Sequence, residues 1–268
     1  MGQELKEKAP PNHIGTIIFQ AEEQIENTPI VELGKAFTLR FGDLNADEAY
    51  YYYTIQHANA DWTVSELFKS EYINGFDDVR IRNMTNSSAT LQSYTHYALI
   101  IPNRDTEIIS SGNYVLSVFD DKQELVFTKR FVVYEQQANV QVGVFRLRDL
   151  EGIDSKQRIE IGVQTAIINT RQPDQEISVW ALQNYRWSSA RKIPKYDYVM
   201  NQSLRFEYDN NLIFEGGNEY LFFDTKDIRS AGGNVAYIRR ENLYQSILYP
   251  NYVRNGTVYT YAPDINGN

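Results

Sequence analysis

The sequence predicts an all-β protein built from two consecutive antiparallel β-sandwiches of the immunoglobulin or fibronectin type III kind. Three observations support this fold class. Short apolar runs alternate with a period of two, turn signals separate these runs at short intervals, and aromatic residues make up 13% of the chain, with 20 Tyr and 13 Phe. The only helical pattern is a single turn expected at residues 64–69.

The first clear strand is residues 36–41, AFTLRF, which places Phe37, Leu39 and Phe41 on one face. This alternation is typical of a strand with one buried side. Longer runs that are apolar on both faces predict central strands, and they lie at residues 94–101, 114–119 and 125–133. The polar turn Asp120–Lys122 joins the last two runs and predicts a β-hairpin.

Four consecutive tyrosines at residues 50–53 suit a strand whose two faces are both covered. Alternation puts one set of side chains on each face. The two sets are Tyr50 with Tyr52, and Tyr51 with Tyr53 and Ile55. We expect one of these sets to belong to the core.

Domain boundaries follow from the break in the strand pattern at the polar stretch Glu135–Asn139, EQQAN. The sequence predicts a flexible N-terminal lead at residues 1–13, a first sandwich at 14–135 and a second at 140–268. In the first sandwich, the SGNY segment predicts that Tyr114 is a corner tyrosine, whose hydroxyl bonds to backbone upstream.

The sequence contains no motif of an active site or of a metal-binding site. There is no cysteine, and the three histidines, His13, His57 and His96, lack the spacing of zinc ligands. Residues 43–47 imitate the start of a calcium loop, but Glu48 stands where the loop needs glycine. We therefore predict no enzyme activity, no cofactor and no metal site.

The charge distribution excludes one class of partner. Residues 1–135 carry 11 Lys and Arg against 20 Asp and Glu, whereas residues 136–268 carry 15 of each. An acidic first half opposes binding to a phosphate backbone, so no nucleic-acid partner is predicted. No apolar window long enough to cross a membrane exists, and no apolar signal core follows Met1, so the chain is either cytosolic or a secreted protein without its signal peptide.

The tryptophans allow a second kind of binding. Exposed aromatic rings bind the flat faces of sugars, although Trp and Tyr also pack in cores and interfaces. Trp180 lies in a strand-like run and is predicted to be buried, whereas Trp62 and Trp187 lie near turns and are the candidates for exposure.

The long connection at residues 59–78, NADWTVSELFKSEYINGFDD, is the candidate recognition site. It combines large aromatics with acidic residues, the composition of an interface with apolar anchors and a polar rim. The candidate partner-binding residues are Asp61, Trp62, Phe68, Glu71, Tyr72, Phe76, Asp77 and Asp78. An alternative explanation is equally open, in which the segment folds over one end of the sandwich and its aromatics cap the core.

Several motifs, in this order and at these distances, carry a resemblance that spans nearly the whole chain. They are YYYYTIQHANADW, SEYINGFDD, SYTHYALIIPN, SGNYVLSVF, LVFTKRFVV, SVWALQNYRW, the run from LRFEY to GGNV, and YTYAPDINGN. Together they resemble the plug protein family of the type IX secretion system of Bacteroidetes.

The resemblance implies a soluble periplasmic protein, associated with the outer membrane, that binds the periplasmic side of the translocon barrel and closes its pore. It implies no catalytic residues, no insertion into the membrane, a monomer when isolated, and a natural chain that continues into a further C-terminal domain. The alternative is a periplasmic or cell-surface module that binds glycans. Capture of the translocon, compared with binding to a glycan array, separates the two.

Overall fold

In the computed structural model, the structure describes residues 5–21, 27–147, 149, 152, 156–164, 170–216 and 223–250. The sequence motif at residues 259–268 lies outside these ranges. The chain divides into two compact units, Met1–Gln136 and Gln137–Asn268. The described residues are all-β with antiparallel sheets, as the sequence predicts, and no described strand crosses residue 137.

The first unit contains strands β1 to β11 and one short helix, α1. In chain order they are β1 (Ile14–Ala21), β2 (Ile30–Glu32), β3 (Phe37–Asp43), β4 (Tyr52–Ala58), α1 (Lys69–Tyr72), β5 (Ile73–Gly75), β6 (Val79–Arg80), β7 (Asn83–Asn86), β8 (Thr95–Ile101), β9 (Thr106–Ile108), β10 (Gly112–Phe119) and β11 (Leu125–Tyr134). The helical turn expected at residues 64–69 is instead α1, because Glu71 accepts a hydrogen bond from the backbone N–H of Phe68 and begins the turn there.

Two sheets form the sandwich of the first unit. One has the order β1-β3-β8-β7 and the other the order β2-β11-β10-β4-β6. All pairs within them are antiparallel except β2 with β11, which is parallel. Strands β10 and β11 form the expected hairpin around Asp120–Lys122.

Aromatic rings from both sheets meet in the core between them. Phe37 of β3 lies 5.0 Å from Phe131 of β11, and Phe41 of β3 lies 5.3 Å from Phe127 of β11, measured between ring centroids. Phe37, Leu39 and Phe41 are all buried, which confirms the alternation read from the sequence. Each aromatic pair adds about 0.5–1.5 kcal/mol beyond the burial of its area.

The tyrosine run has one buried face, and the expectation that both faces are covered is wrong. Tyr51, Tyr53 and Ile55 are buried, whereas Tyr50 is 49% exposed and Tyr52 is half-buried. The reason is that Tyr51, Tyr53 and Ile55 pack in the core with residues of the facing sheet, such as Leu39 and Tyr97, whereas Tyr50 and Tyr52 do not belong to that core.

The N-terminal segment expected to be a flexible lead is hydrogen-bonded in its described part. The backbone N–H of Lys8 donates to Thr128 Oγ1 at 2.6 Å, and the backbone N–H of Arg130 donates to Glu7 Oε1 at 2.9 Å. Because β10 occupies the other edge of β11, these bonds cover the edge that β2 leaves open.

The second unit is built around a sheet with the order β12-β13-β17-β16, in which β18 also pairs with β13. Its elements are β12 (Asn139–Arg146), β13 (Lys156–Gln164), α2 (Pro173–Glu176), β14 (Val179–Ala181), a 3₁₀ turn (Trp187–Ser189), β15 (Arg191–Ile193), β16 (Tyr198–Met200), β17 (Ser203–Phe206), a second 3₁₀ turn (Asn210–Leu212), β18 (Ile213–Glu215), β19 (Val235–Arg240) and β20 (Tyr244–Leu248). Ile161 and Val163 of β13 pack with Leu204 and Phe206 of β17 in its core.

Candidate functional site

The candidate recognition segment, residues 59–78, connects β4 to β6 and has a defined structure. A bridge between Ala58 and Val64 closes its first turn. Helix α1 follows, and β5 then pairs with β9. The segment is thus fixed at several points along its length, which gives its exposed side chains a rigid base.

The first turn is held by the carboxylate of Asp61. Its Oδ1 accepts a hydrogen bond from the backbone N–H of Thr63 at 3.1 Å and another from the Thr63 hydroxyl at 2.6 Å. These bonds favour the ionised carboxylate and lower the pKa of Asp61. Asp61 is exposed, but its charge is engaged within its own turn.

Trp62, in the same turn, is half-buried by contacts with distant parts of the unit. The guanidinium carbon of Arg130, on β11, lies 4.6 Å from the centre of its ring. The backbone N–H of Leu5 donates to the carbonyl of Trp62 at 2.8 Å. One face of the indole is therefore occupied by a cation, an arrangement that contributes about 0.5–2 kcal/mol.

Phe68 begins α1 and points away from the sandwich. Its backbone N–H donates to Glu71 Oε2 at 2.7 Å, so the carboxylate of Glu71 is held beside the ring. The Phe68 side chain is 78% exposed. The ring is therefore accessible to a partner, as single exposed apolar side chains on protein surfaces often are.

Tyr72, at the end of α1, faces inward and fixes the helix to the core. Only 5% of it is exposed, and its ring lies 5.5 Å from His57 and 6.0 Å from Tyr114. The backbone N–H of Ile109 donates to its carbonyl at 3.0 Å. Tyr72 therefore caps the core of the sandwich, as the alternative explanation of the segment expects of its aromatic residues.

Phe76 is the second exposed ring, and its backbone is held firmly by the turn before β9. The N–H of Phe76 donates to the carbonyl of Asp105 at 2.7 Å, and the hydroxyl of Thr106 donates to the carbonyl of Phe76. Gly75, with φ of +98°, lets the two chains approach, since a Cβ there would lie 2.2 Å from the Asp105 carbonyl oxygen. The Phe76 side chain is 76% exposed.

The two acidic residues after Phe76 differ in their surroundings. Asp77 has a side chain only 7% exposed, which accepts hydrogen bonds from the backbone N–H of Ile55 at 2.9 Å and from Lys69 Nζ at 2.5 Å. Asp78 is exposed, has φ of +67°, and donates its backbone N–H to the carbonyl of Tyr53 at 2.8 Å. Asp77 is a structural support, whereas Asp78 offers its charge to solvent.

The segment therefore divides into an inner and an outer part. Tyr72, Asp77 and much of Trp62 support it from within. The outer part, called the loop face below, consists of the exposed residues Val64, Glu66, Leu67, Phe68, Glu71, Phe76 and Asp78. The sequence did not indicate Val64 and Leu67, because nothing in their spacing distinguishes exposed from buried apolar residues in an irregular segment.

The tryptophan positions differ from expectation. Trp180, predicted to be buried, is 42% exposed, because β14 pairs only with β15 in a two-stranded sheet. Trp62 and Trp187, the candidates for exposure, are both half-buried.

The described part of the chain contains no cluster of three or more His, Asp or Glu side chains placed to hold a metal ion. Nor does any described helix have the length and apolar character needed to cross a membrane. What the candidate site presents is a rigid, partly apolar and acidic surface.

Comparison with known proteins adds an independent result. Residues 14–135 match the family model for the first domain of the type 9 secretion system plug protein, and this confirms the resemblance seen in the sequence. The chain is also similar to the crystal structure of a hypothetical protein from Parabacteroides merdae ATCC 43184, with 26% identity and a TM-score of 0.87. That match covers 99% of this chain and 68% of the other. A search of curated proteins gave no match.

Proposed function

We propose, from the match of residues 14–135 to the first domain of the type 9 secretion system plug protein, that the chain is a non-catalytic subunit that binds the translocon barrel of that system. In this proposal it works in the periplasm, engages the barrel from the periplasmic side of the outer membrane, and closes the pore when no secreted protein occupies it. The family match supports the pathway, and the loop face supports the mode of binding.

The observation that carries the proposal is the exposure of Phe68 and Phe76 on a rigid base. Side chains of this size, held by fixed backbone, bind a partner with little loss of conformational entropy. Glu66, Glu71 and Asp78 are exposed acidic residues of the same segment, and the carboxylate of Glu71 lies beside Phe68. Aromatic anchors inside a charged rim are typical of protein interfaces, and a few such anchors carry most of the binding energy.

We also propose that the first unit has the immunoglobulin fold. Its sheets, β1-β3-β8-β7 and β2-β11-β10-β4-β6, correspond to a four-stranded sheet packed on an extended three-stranded one. The hydroxyl of Tyr114 donates to the carbonyl of Ser110 at 2.7 Å, which is the bond of a corner tyrosine. The boundaries 14–135 and 140–268, and a similar sandwich in the second unit, remain part of this proposal.

The test is capture of the translocon from solubilised outer membranes on the immobilised protein. The variant Phe68→Ser with Phe76→Ser removes both anchors, and Leu91→Ser with Tyr208→Ser is the matched control, since each of these two is 68% exposed. We expect the first pair to weaken capture about tenfold or more and the control pair to leave it unchanged.

The melting temperature of each variant completes the test. All four side chains are exposed, so we expect changes in stability within about 0.5 kcal/mol. If the variant that lacks both Phe68 and Phe76 still captures the translocon as well as the parent chain, these two residues are not the anchors of the interface. Binding to a glycan array together with failure to capture the translocon would favour the sugar-binding alternative.

A further inference from the structure

A groove opens on the first unit between the edge strands of its two sheets. Strand β6 ends one sheet and β7 ends the other, and the chain crosses from one to the other at residues 81–82. The groove has a volume of about 240 Å³, with Ile81 and Leu99 among its lining residues. Both of these side chains are buried, so the floor is apolar.

The lining of this groove reverses the charge of its surroundings. Residues 1–135 carry 11 basic against 20 acidic side chains, and only five of the basic ones are arginines. Three of those five, Arg80, Arg82 and Arg104, line the groove, together with one carboxylate, that of Asp105. The groove is therefore a basic site in an acidic unit, and its field favours an anionic ligand.

Two of the arginines are available to a ligand. Arg82 lies 3.4 Å and Arg104 lies 3.8 Å from the carboxylate of Asp105, and their side chains are 60% and 81% exposed. Exposed pairs of this kind contribute little free energy, so a better-placed carboxylate replaces the contact at small cost. One acidic side chain does not satisfy two guanidinium groups.

Arg80 is held in place by a ring. Its guanidinium carbon lies 3.4 Å from the centre of the Tyr50 ring, and within the described part of the chain its buried Nε has no hydrogen-bond partner. Stacking fixes the orientation of the guanidinium plane, and a fixed plane loses less entropy when it binds a carboxylate. Tyr50, which is half exposed, thus orients Arg80 at the surface.

The strands beside the groove favour an extended polypeptide as the ligand. Strands β6 and β7 each end a sheet, and an edge strand offers backbone N–H and C=O groups to a further strand. The apolar floor accepts an aliphatic side chain, while guanidinium groups at the rim pair with carboxylates in a two-pronged geometry. These features together describe a segment in which carboxylates flank an aliphatic residue.

We propose that this groove binds an extended acidic peptide segment of a partner protein, with Arg82 and Arg104 pairing with its carboxylates and Arg80 providing a fixed third cation. The site is distinct from the loop face but linked to it. The backbone carbonyl of Asp105, a residue that lines the groove, accepts a hydrogen bond from the backbone N–H of Phe76. The turn before β9 thus supports both surfaces, and the proposal does not depend on the proposed function.

The experiment measures binding of a fluorescent peptide of alternating Glu and Val to the purified chain by anisotropy. A peptide with Gln in place of Glu tests the need for charge. The variant Arg82→Gln with Arg104→Gln tests the site, and Lys35→Gln with Lys122→Gln is the control, because these exposed lysines do not line the groove and their loss changes the charge by the same amount. We expect the acidic peptide to bind at least about tenfold more tightly than the Gln peptide, and the groove variant to lose this difference.

Three results would overturn the proposal. The first is equal binding of the two peptides, and the second is equal loss of binding in the groove and control variants. The third is binding of inorganic phosphate without binding of the acidic peptide, which would make the groove a site for free anions. Unchanged melting temperatures establish that both variants are folded. Because no translocon is present, failure here leaves the proposed function untouched.

Discussion

The carboxylate of Asp77 accepts a hydrogen bond from the backbone N–H of Ile55, joining the recognition segment to the middle of β4 across 2.9 Å. Ile55 is fully buried in the core, so the bond fixes the segment to the most rigid part of the unit. Lys69, at the start of α1, donates to the same carboxylate oxygen. One side chain thus holds both the helix and the turn that carry Phe68 and Phe76.

We predict that Asp77→Ala lowers the free energy of unfolding of the first unit by about 1–3 kcal/mol, since the N–H of Ile55 loses its acceptor in a poorly hydrated place. Glu66→Ala is the control, because Glu66 is an exposed acidic residue of the same segment. Hydrogen exchange of the buried amides in β3 and β10 measures the unfolding of this unit specifically. Equal protection in the two variants would contradict the supporting role of Asp77.

Strands β3, β4, β8, β10 and β11 of the first unit were predictable because strand periodicity is a local property. The burial of Phe37, Leu39 and Phe41 follows from alternation alone, and the hairpin at Asp120–Lys122 follows from a polar turn between two apolar runs. The corner bond of Tyr114 was also predictable, since it spans only four residues. None of these features depends on knowing what covers the strand.

Features that depend on distant contacts were not predictable. Arg130 approaches Trp62 across the fold, and nothing near either residue indicates this contact. Within the recognition segment, Phe68 is exposed and Tyr72 is buried, although they are only four residues apart. The sequence did not predict this difference, because a helix of four residues is too short to show a hydrophobic period. The sequence therefore located the candidate site but did not separate its anchors from its supports.

The tyrosine run provides a direct test of the core. Tyr53 is 1% exposed and its hydroxyl lies 2.7 Å from Thr106 Oγ1, whereas Tyr50 is 49% exposed. By analogy with Phe→Ala, we expect Tyr53→Ala to cost about 3–5 kcal/mol of unfolding free energy. Tyr50→Ala loses only its contact with Arg80, about 0.5–1 kcal/mol. Similar losses at the two positions, measured by hydrogen exchange of β10, would refute the assignment of faces.

Alkaline pH is expected to destabilise the first unit through its buried tyrosines. Burial raises the pKa of Tyr51 above its ordinary value, and its hydrogen bond to Asp43 raises it further. Burial raises the pKa of Tyr97 and of Tyr114 as well. Because the folded state favours the neutral phenol, its stability is complete below pH of about 10 and is lost as the pH rises above that value.

Ultraviolet absorbance of the phenolates checks this expectation. Exposed tyrosines should ionise near pH of about 10, and the buried ones only together with unfolding. The Tyr51→Phe variant removes one of the three groups, so its stability should fall less steeply with rising pH than that of the parent chain. An unchanged slope would mean that Tyr51 ionises in the folded state.

Acid pH acts on the same unit through His57. Its side chain is buried, its Nδ1 has no hydrogen-bond partner among the described residues, and burial lowers its pKa below the ordinary value. The carbonyl of Ser111, 3.4 Å from Nε2, opposes this shift only in part. Because the unfolded state binds this proton more readily than the folded state, the contribution of His57 to stability is complete above pH of about 6.5 and is lost as the pH falls below that value.

The variant His57→Phe tests this pH dependence, because phenylalanine keeps a ring beside Tyr72 and Tyr114 but does not titrate. Melting temperatures between pH of about 7.5 and 5 should fall more steeply for the parent chain than for the variant. The carboxylates lose stability over the lower part of this range in both chains, so the difference between them isolates His57. Parallel curves would show that His57 binds a proton equally well in the folded and unfolded states, which would contradict a pKa lowered by burial.

Gly112 is a second position, after Gly75, where the backbone depends on the absence of a side chain. It has φ of +149°, and a Cβ there would lie 2.1 Å from Nε2 of His57. We expect Gly112→Ala to cost about 1–3 kcal/mol for the backbone conformation alone, and more for the contact with His57. Gly15→Ala is the control, since a Cβ at Gly15 meets no atom within 4 Å.

Combining Gly112→Ala with His57→Ala separates the cost of the backbone conformation from the cost of the contact with His57. The double variant should lose less stability than the sum of the single variants, because the contact is then absent. Strict additivity in urea unfolding would assign the whole cost to the backbone and contradict the close packing of His57 on this turn.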